Sequence, residues 1–379
     1  MTKSAILDYV GRKAGMDYFS VRMHRELCKL GVSNTLYTNF EVPHDPGVRQ
    51  VFSFDSAGVS KAKATLRYAL GILRAFQGIR REGSQHFIFH YFKGGLREAL
   101  VLELARWHGQ RIHLLVHDVE RLDQSTPQNW LKDLIDNFLR RRILGRGCHH
   151  AYTFSQAAAD ELLHHAPGLK DRLTVLRHGH FLDLPLPVPT QAQARQELRV
   201  EEGTMALLFF GQIKESKGLD ILLEAMNLVH DPDIHLIIAG SARDVDPQDL
   251  IQSLVEPSVQ NQIHLHNRYI SDQERDSLFK ACDALVIPYR RIYNSGVLMM
   301  GLSYGKTVIA SDLPANCEII QNGVNGYLFE DGNPSDLAQN ILRLKNASNR
   351  PTFEAIMNPL RAHHSWDLMA QQMKPFLGH

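Results

Sequence analysis

Short apolar runs alternate with amphipathic stretches along the whole chain. In the first half, runs rich in Val, Ile, Leu and Phe predict strands over 5–10, 34–39, 49–54, 86–92, 111–117, 149–154 and 173–177. Between them, helical spacing predicts helices over 18–30, 60–81, 96–108, 130–144 and 156–165. The second half repeats the alternation more regularly, with strands over 206–211, 234–239, 262–266, 284–287, 307–310 and 326–329. Helices are expected over 218–229, 246–256, 272–281, 296–304, 315–321 and 334–345. These later strands are almost wholly apolar (LLFF, HLIIA, ALVIP, TVIA), as strands covered on both faces by helices must be. The pattern breaks at 182–193, LDLPLPVPTQAQ, where three prolines fall within five residues. That break reads as an interdomain linker; a surface loop within one domain is the alternative. The fold class is therefore α/β, two domains over 1–185 and 194–362, each built on a parallel sheet. Ligands of such sheets bind at the carboxyl ends of the strands, so a cleft between the two domains is expected.

Composition narrows the classes. The chain has 379 residues, 44% hydrophobic and 22% charged, which excludes a disordered, collagen-like or coiled-coil protein. Four well-separated cysteines indicate neither a disulfide framework nor a structural zinc site, so a reducing compartment is expected. No apolar run is long enough to span a bilayer, and MTKSAILDYVGRKAG has too short an apolar stretch for a signal peptide. The net charge of +1 conceals an asymmetry. Residues 1–189 carry 26 Lys and Arg against 18 Asp and Glu, whereas 190–379 carry 16 against 23. One basic face is thus expected to meet something anionic.

Two stretches carry chemistry. In LLFFGQIKESKGLDILLEAM, a buried strand ends at Gly211, and Lys217-Gly218 opens an amphipathic helix. Gly211 permits close backbone approach, and a helix N-terminus with an added lysine suits a phosphate or diphosphate. The pattern is loose and no Walker loop is present, so taken alone it reads as a surface lysine beside a tight turn. In ALVIPYRRIYNSGVLMMGLSYGKTVIASD, Asn294-Ser295-Gly296 precedes a helix between two strands and offers a second anion-binding terminus; plain helix capping is the alternative.

The string FFGQI-x4-KGLDILLEA, HLIIAGS, IHLHNRYIS, DALVIPYR, SGVLMMGLSYGKTVIASDLP, EII-x-NGVNGYLF and HHSWDLMAQQM resembles the donor domain of retaining glycosyltransferases of family 4, the glycogen synthase-like group with the GT-B fold. AGMDYFSVRMHRELCKLG, VHD, TFSQAAADEL and LRHGHF extend the resemblance more weakly into the first half. The resemblance implies two Rossmann-like domains, with a terminal helix near 363–379 packing back on the first. It implies transfer of a hexose from a nucleoside-diphosphate sugar to a lipid-linked or polysaccharide acceptor, with retention and no essential metal or other cofactor. Lys217 would grip the diphosphate with the backbone of Asn294, Ser295, Gly296 and Val297, beside Gly211, Gln212 and Gly240. Gly15 and Met16 would approach from the first domain, and Arg268, Tyr269 and Ile270 would meet the nucleobase. His117 would contact the transferred sugar, with Asp118, His178 and Gly179 lining the cleft or acceptor side. Two departures stand out. Gln212 replaces the usual Arg, and Ile292 and Met300 fall where the family has a glutamate pair, which suggests a branch lacking it. Glu318 lies where many relatives also have Glu.

Other features compete with this reading. The adjacent histidine pairs at 149–150, 164–165 and 363–364 do not share a face, so a metal site is not expected. The segment 60–81 joins basic residues to Leu66, Ala69, Leu70, Leu73 and Phe76, and is either a core helix or an in-plane helix on an anionic membrane. Arg140, Arg141, Arg142 and Arg146 could support that face. No nucleic-acid motif accompanies the charge. The expected protein is cytoplasmic or peripheral on the inner face of the plasma membrane, serving cell-surface or exopolysaccharide synthesis. A non-catalytic nucleotide-sugar-binding relative or complex subunit, an inverting GT-B transferase and a sugar-nucleotide epimerase remain open. The absence of G-x-G-x-x-G after an early strand argues against a dinucleotide dehydrogenase.

Overall fold

The computed structural model describes residues 3–11, 16–53, 60–92, 95–119, 138–139, 142–145, 147–182, 189–346 and 351–378. The chain divides into two compact units: Met1–Arg121 with Thr126–Gly179 and Ser365–His379, and His180–His364 with Leu122–Ser125.

The first unit contains β1 (Lys3–Leu7), α1 (Met16–Lys29), β2 (Ser33–Thr38), β3 (Val48–Gln50), α2 (Lys61–Glu82), β4 (His86–Tyr91), α3 (Leu96–Trp107), β5 (Arg111–Val116), β6 (His150–Thr153), α4 (Gln156–His165) and β7 (Leu173–Val175). The second contains α5 (Gln191–Leu198), β8 (Met205–Phe210), α6 (Leu219–Val229), β9 (Ile234–Ala239), α7 (Pro247–Leu254), β10 (Ile263–His266), α8 (Asp272–Ala281), β11 (Ala284–Ile287), α9 (Gly296–Ser303), β12 (Thr307–Ser311), α10 (Pro314–Cys317), β13 (Gly326–Phe329), α11 (Pro334–Asn346) and α12 (Phe353–His363). A last helix, α13 (Trp366–Leu377), belongs to the first unit.

All strand pairs are parallel. The first sheet runs β3-β2-β1-β4-β5-β6-β7 and the second β10-β9-β8-β11-β12-β13. In both, the order reverses beside the first strand of the unit, between β1 and β4 and between β8 and β11. The crevice at such a reversal is where open α/β sheets bind ligands.

The apolar strands read in the sequence lie at the centre of each core. Ile6, Ile88 and Leu115 join Phe19, Met23 and Leu27 of α1, and Leu207, Phe209, Leu236 and Val286 join Leu222 and Met226 of α6. Trp366, Met369, Met373 and Leu377 place one face of α13 against the first core. Each such side chain contributes about 1.5–3 kcal/mol by leaving water.

Several boundaries differ from expectation. Residues 182–193 are not linker throughout. Thr190 caps α5, its hydroxyl accepting from the Gln193 amide at 3.3 Å while the Gln193 side chain accepts the Thr190 amide at 2.9 Å. That capping box starts a helix that the proline run disguised; residues 183–188 lie outside the described residues. The helix expected over 315–321 is the short α10, which stops at Cys317. Asn325 holds the turn that follows, accepting from the Gln321 amide at 2.7 Å and donating to the Ile319 carbonyl at 3.0 Å. Of the helix expected over 130–144, residues 130–137, 140 and 141 lie outside the described residues, as does Arg146; 138–139 and 142–145 are helical. The α2 apolar positions do not form one face. Ile72, Ala75, Phe76 and Ile79 are buried, whereas Leu66, Leu70 and Leu73 face solvent among Lys63, Arg74 and Arg81.

Candidate functional site

In the second unit, Gly211 (φ +111°) directly follows β8 and Gly240 (φ +151°) directly follows β9. A Cβ on Gly240 would sit 1.7 Å from the Gly211 carbonyl oxygen, so only glycine lets the two strand ends close up. A Cβ on Gly211 would meet Val297 Cγ2 at 3.6 Å, which places the first turn of α9 directly over the end of β8.

Lys217 reaches the same place from the other side. It closes a one-turn helix, Glu215–Lys217, and Gly218 (φ +65°) follows with room for no Cβ, because that atom would fall 1.8 Å from the Pro288 carbonyl oxygen. The half-buried Lys217 ammonium lies 3.5 Å from the centroid of the Tyr289 ring. Tyr289 is buried, and the Ser295 side chain hydrogen-bonds its hydroxyl. Ser295 also caps α9, accepting from the Leu298 amide at 3.1 Å. Lys217, Tyr289 and the α9 N-terminus are therefore one contiguous assembly at the β8–β11 reversal. A cation beside open amide groups at the start of a helix is suited to an anion.

Sequence reasoning missed what holds this loop. Arg290 binds Asp220 of α6 through two parallel bonds of 2.7 and 2.5 Å, and donates to the Glu215 carbonyl at 3.2 Å. Its own amide donates to the Ser216 carbonyl at 3.0 Å. Arg290 thus fastens the Lys217 turn to the end of β11. Its guanidinium holds the Asp220 carboxyl below the usual range, against the opposing effect of burial. The only local signal was YRR after an apolar strand, which does not name a partner.

The remaining expected residues of this unit are dispersed along the carboxyl edge. Gln212 is half-buried between Gly211 and Ile213. Asn294 and Gly296 flank the capping serine and are half-exposed. Arg268 is exposed, bridges Glu274 at 2.5 Å, and with Ile270 borders a cavity of about 240 Å³ that also meets Glu197, His266 and Ser277. Tyr269 is exposed. Glu318 is exposed at the end of α10. Ile292 and Met300 are both half-exposed.

In the first unit, His117 directly follows β5, half-buried, with the Phe92 and Phe154 rings nearly parallel to it at 4.6 and 5.0 Å. Burial, and then His90 and His178 nearby, hold its imidazole well below the usual histidine range, so it is neutral. His178 is buried and its Nδ1 donates to the Gly179 carbonyl at 2.7 Å. Gly179 is required by packing, since its Cβ would lie 2.2 Å from the Trp366 indole. Asp118 is half-buried, and Met16 opens α1 and packs on the core. Gly15 lies outside the described residues. Among the described residues no group of three or more His, Cys, Asp or Glu is arranged to hold a metal ion, and no helix is long and apolar enough to cross a membrane.

Residues 204–346 match the family model described as Glycosyl transferases group 1. The match to this family of enzymes spans β8 to α11 of the second unit, and Gly211, Lys217, Ser295 and Val297 all fall inside it. A GDP-mannose:glycolipid 4-beta-D-mannosyltransferase of Xanthomonas campestris pv. campestris is 29% identical over 155 residues, 40% of each chain. The matches to the first curated relatives span between 35% and 40% of those relatives' lengths. A D-inositol 3-phosphate glycosyltransferase of Streptomyces bingchenggensis is 23% identical over 391 residues, covering 95% of this chain and 83% of its own. Among solved structures, Anabaena HepE in complex with UDP-glucose is similar at a TM-score of 0.74 and 17% identity, covering 100% of this chain and 99% of its own. The solved structures that share this architecture are GT-B glycosyltransferases, and the fold of the chain is the GT-B fold.

Proposed function

We propose that the protein transfers a hexose from a nucleoside-diphosphate sugar to a hydroxyl of a lipid-linked or polysaccharide acceptor, in cell-surface or exopolysaccharide synthesis. The observation that carries this is the Lys217 ammonium lying on Tyr289, whose hydroxyl meets the serine that caps α9. The acceptor oxygen bonds the anomeric carbon as the bond from that carbon to the β-phosphate oxygen breaks. The acceptor proton passes to a phosphate oxygen, and Lys217 with the first amides of α9 stabilises the charge that develops there. These groups supply the positive charge without an essential metal or other cofactor. His117 orients the sugar, and Arg268, Tyr269 and Ile270 serve the nucleobase. A nucleotide donor is supported by the GDP-mannose in the name of the Xanthomonas relative and the UDP-glucose in the HepE structure.

The reaction retains the anomeric configuration in this reading. Inversion is the second reading, favoured by the β-linked product in the Xanthomonas relative's name. The protein works at the inner face of the plasma membrane. Leu66, Leu70 and Leu73 project from α2 among lysine and arginine, with Leu100 and Trp107 exposed on α3, and this combination fits an anionic bilayer surface.

A screen of UDP-, GDP- and ADP-sugars, read by release of free nucleotide, tests the activity, and NMR of the product anomer separates retention from inversion. Lys217→Ala is expected to lower turnover on the order of 100- to 1,000-fold with little change in melting temperature. Wild-type turnover in that variant, or nucleotide-dependent stabilisation without transfer across the donor panel, would defeat the proposal.

A further inference from the structure

Four buried or half-buried residues, distant in sequence, form a single hydrogen-bonded line across the β1–β4 reversal of the first unit. Asp8 follows β1, Ser20 lies on α1, His90 on β4 and His117 after β5. Asp8, Ser20 and His90 are each 0% exposed. Asp8 Oδ1 accepts the amides of Val10 at 3.0 Å and Gly11 at 2.8 Å, and Oδ2 accepts the Ser20 hydroxyl at 2.6 Å. Ser20 Oγ lies 3.3 Å from His90 Nε2, and His90 Nδ1 lies 2.9 Å from His117 Nε2.

The proton positions follow by elimination. A carboxylate only accepts, so the single Ser20 proton points at Asp8. Ser20 must then accept from His90, which makes Nε2 the protonated nitrogen of His90 and leaves its Nδ1 with a lone pair. His117 donates to that lone pair through Nε2–H. Its own Nδ1 is left bare, with no partner among the described residues. The Phe92 and Phe154 rings packed parallel to the imidazole oppose its rotation.

We propose that Asp8, Ser20 and His90 are positioning residues that lock His117 in its Nε2–H tautomer, so that Nδ1 accepts a hydrogen bond from a hydroxyl of the bound sugar. A bare nitrogen lone pair at the carboxyl edge of the sheet attracts a hydroxyl proton and repels phosphate and carboxylate oxygen. The choice of a sugar hydroxyl as partner rests on the proposed glycosyl transfer; the lock itself rests on the hydrogen-bond geometry alone.

The direction of the whole line is set at Asp8, and one substitution should reverse it. In Asp8→Asn the side-chain oxygen stays with the Val10 and Gly11 amides, which only donate. The new NH₂ then faces Ser20, which must accept from it and donate to His90 Nε2. His90 becomes the Nδ1–H tautomer and donates to His117 Nε2, so His117 carries its proton on Nδ1. Heteronuclear NMR of the ligand-free full-length chain with isotope-labelled histidine reads this directly. The expected result is His117 as Nε2–H in the wild type and Nδ1–H in Asp8→Asn. The same tautomer in both, or Nδ1–H in the wild type, overturns the lock. Ser20→Ala gives a second route if Asp8→Asn folds poorly: cutting the line should leave His117 a mixture of tautomers, and an unchanged tautomer there also overturns it.

The sugar contact is tested separately by affinities for UDP-glucose and UDP. The advantage of UDP-glucose over UDP should shrink roughly 5- to 10-fold in Asp8→Asn, as for the loss of one hydrogen bond, with UDP affinity unchanged. A reversed tautomer with an undiminished advantage removes the sugar from His117 while the lock stands. Failure of glycosyl transfer in the donor screen leaves the NMR result untouched.

Discussion

Gly218→Ala tests whether the Lys217 turn is held in place by the end of β11. Two separate effects apply. The backbone there has φ +65°, where a Cβ costs about 1–2 kcal/mol. The added atom would also fall 1.8 Å from the Pro288 carbonyl oxygen, so the turn must retreat by roughly 1 Å, adding about 1–3 kcal/mol. Gly83→Ala supplies the control. It has nearly the same φ, +68°, with nothing within 4 Å of the new Cβ, so only the first cost applies. A unit of this size loses about 2–4 °C of melting temperature per kcal/mol, so Gly218→Ala should fall several degrees further than Gly83→Ala. The retreat carries Lys217 with it, and a catalytic group displaced by roughly 1 Å costs on the order of 100-fold in rate. The assay is nucleotide release from whichever donor the screen identifies, beside thermal melting of both variants. Equal turnover in the two variants would refute the argument that Pro288 and Gly218 together place the lysine.

Two other outcomes follow from local electrostatics and surface chemistry. Glu274 caps α8 by accepting from Ser271 and pairs with Arg268, which lowers its carboxyl from 4.5 to about 2. A lowered carboxyl stabilises the fold above its unfolded value of 4.5 and loses that contribution as pH falls through about 2. Wild type should therefore lose more melting temperature over this acid range than Glu274→Gln, and parallel acid profiles would contradict the assignment. Replacing Leu70 and Leu73 with Asp should abolish sedimentation with anionic phosphatidylglycerol vesicles without lowering the melting temperature, since both side chains face solvent. Vesicle binding equal to wild type would remove α2 from the membrane contact.

The elements were legible where local pattern and burial agree. The strands over 234–239, 284–287 and 326–329 and the helices over 156–165 and 272–281 follow from apolar runs and helical spacing, and the structure has them at those bounds. Helix α5 was also written locally, in Thr190 and Gln193, but the preceding prolines dominated the reading. The α2 leucines could not be sorted by pattern alone, because a helix lying on a sheet has one buried arc whose direction only packing sets. At the candidate site, Gly211, Lys217 and Ser295 were visible as a strand end, a loop cation and a helix cap. Tyr289 and the Arg290–Asp220 pair were not, because ion pairs and cation–π contacts between elements leave no spacing in the chain.

By itself the sequence determined two α/β units with buried parallel strands and the residue types of an anion-binding loop, because hydrophobic periodicity and helix-start chemistry act over a few neighbouring residues. Only the tertiary structure decided the strand order, and with it which loop ends share a reversal point. It brought Lys217 onto Tyr289 across the β8–β11 reversal, and Asp8 into line with Ser20, His90 and His117 at the β1–β4 reversal. Those contacts depend on which strands lie side by side, a property of the sheet as a whole.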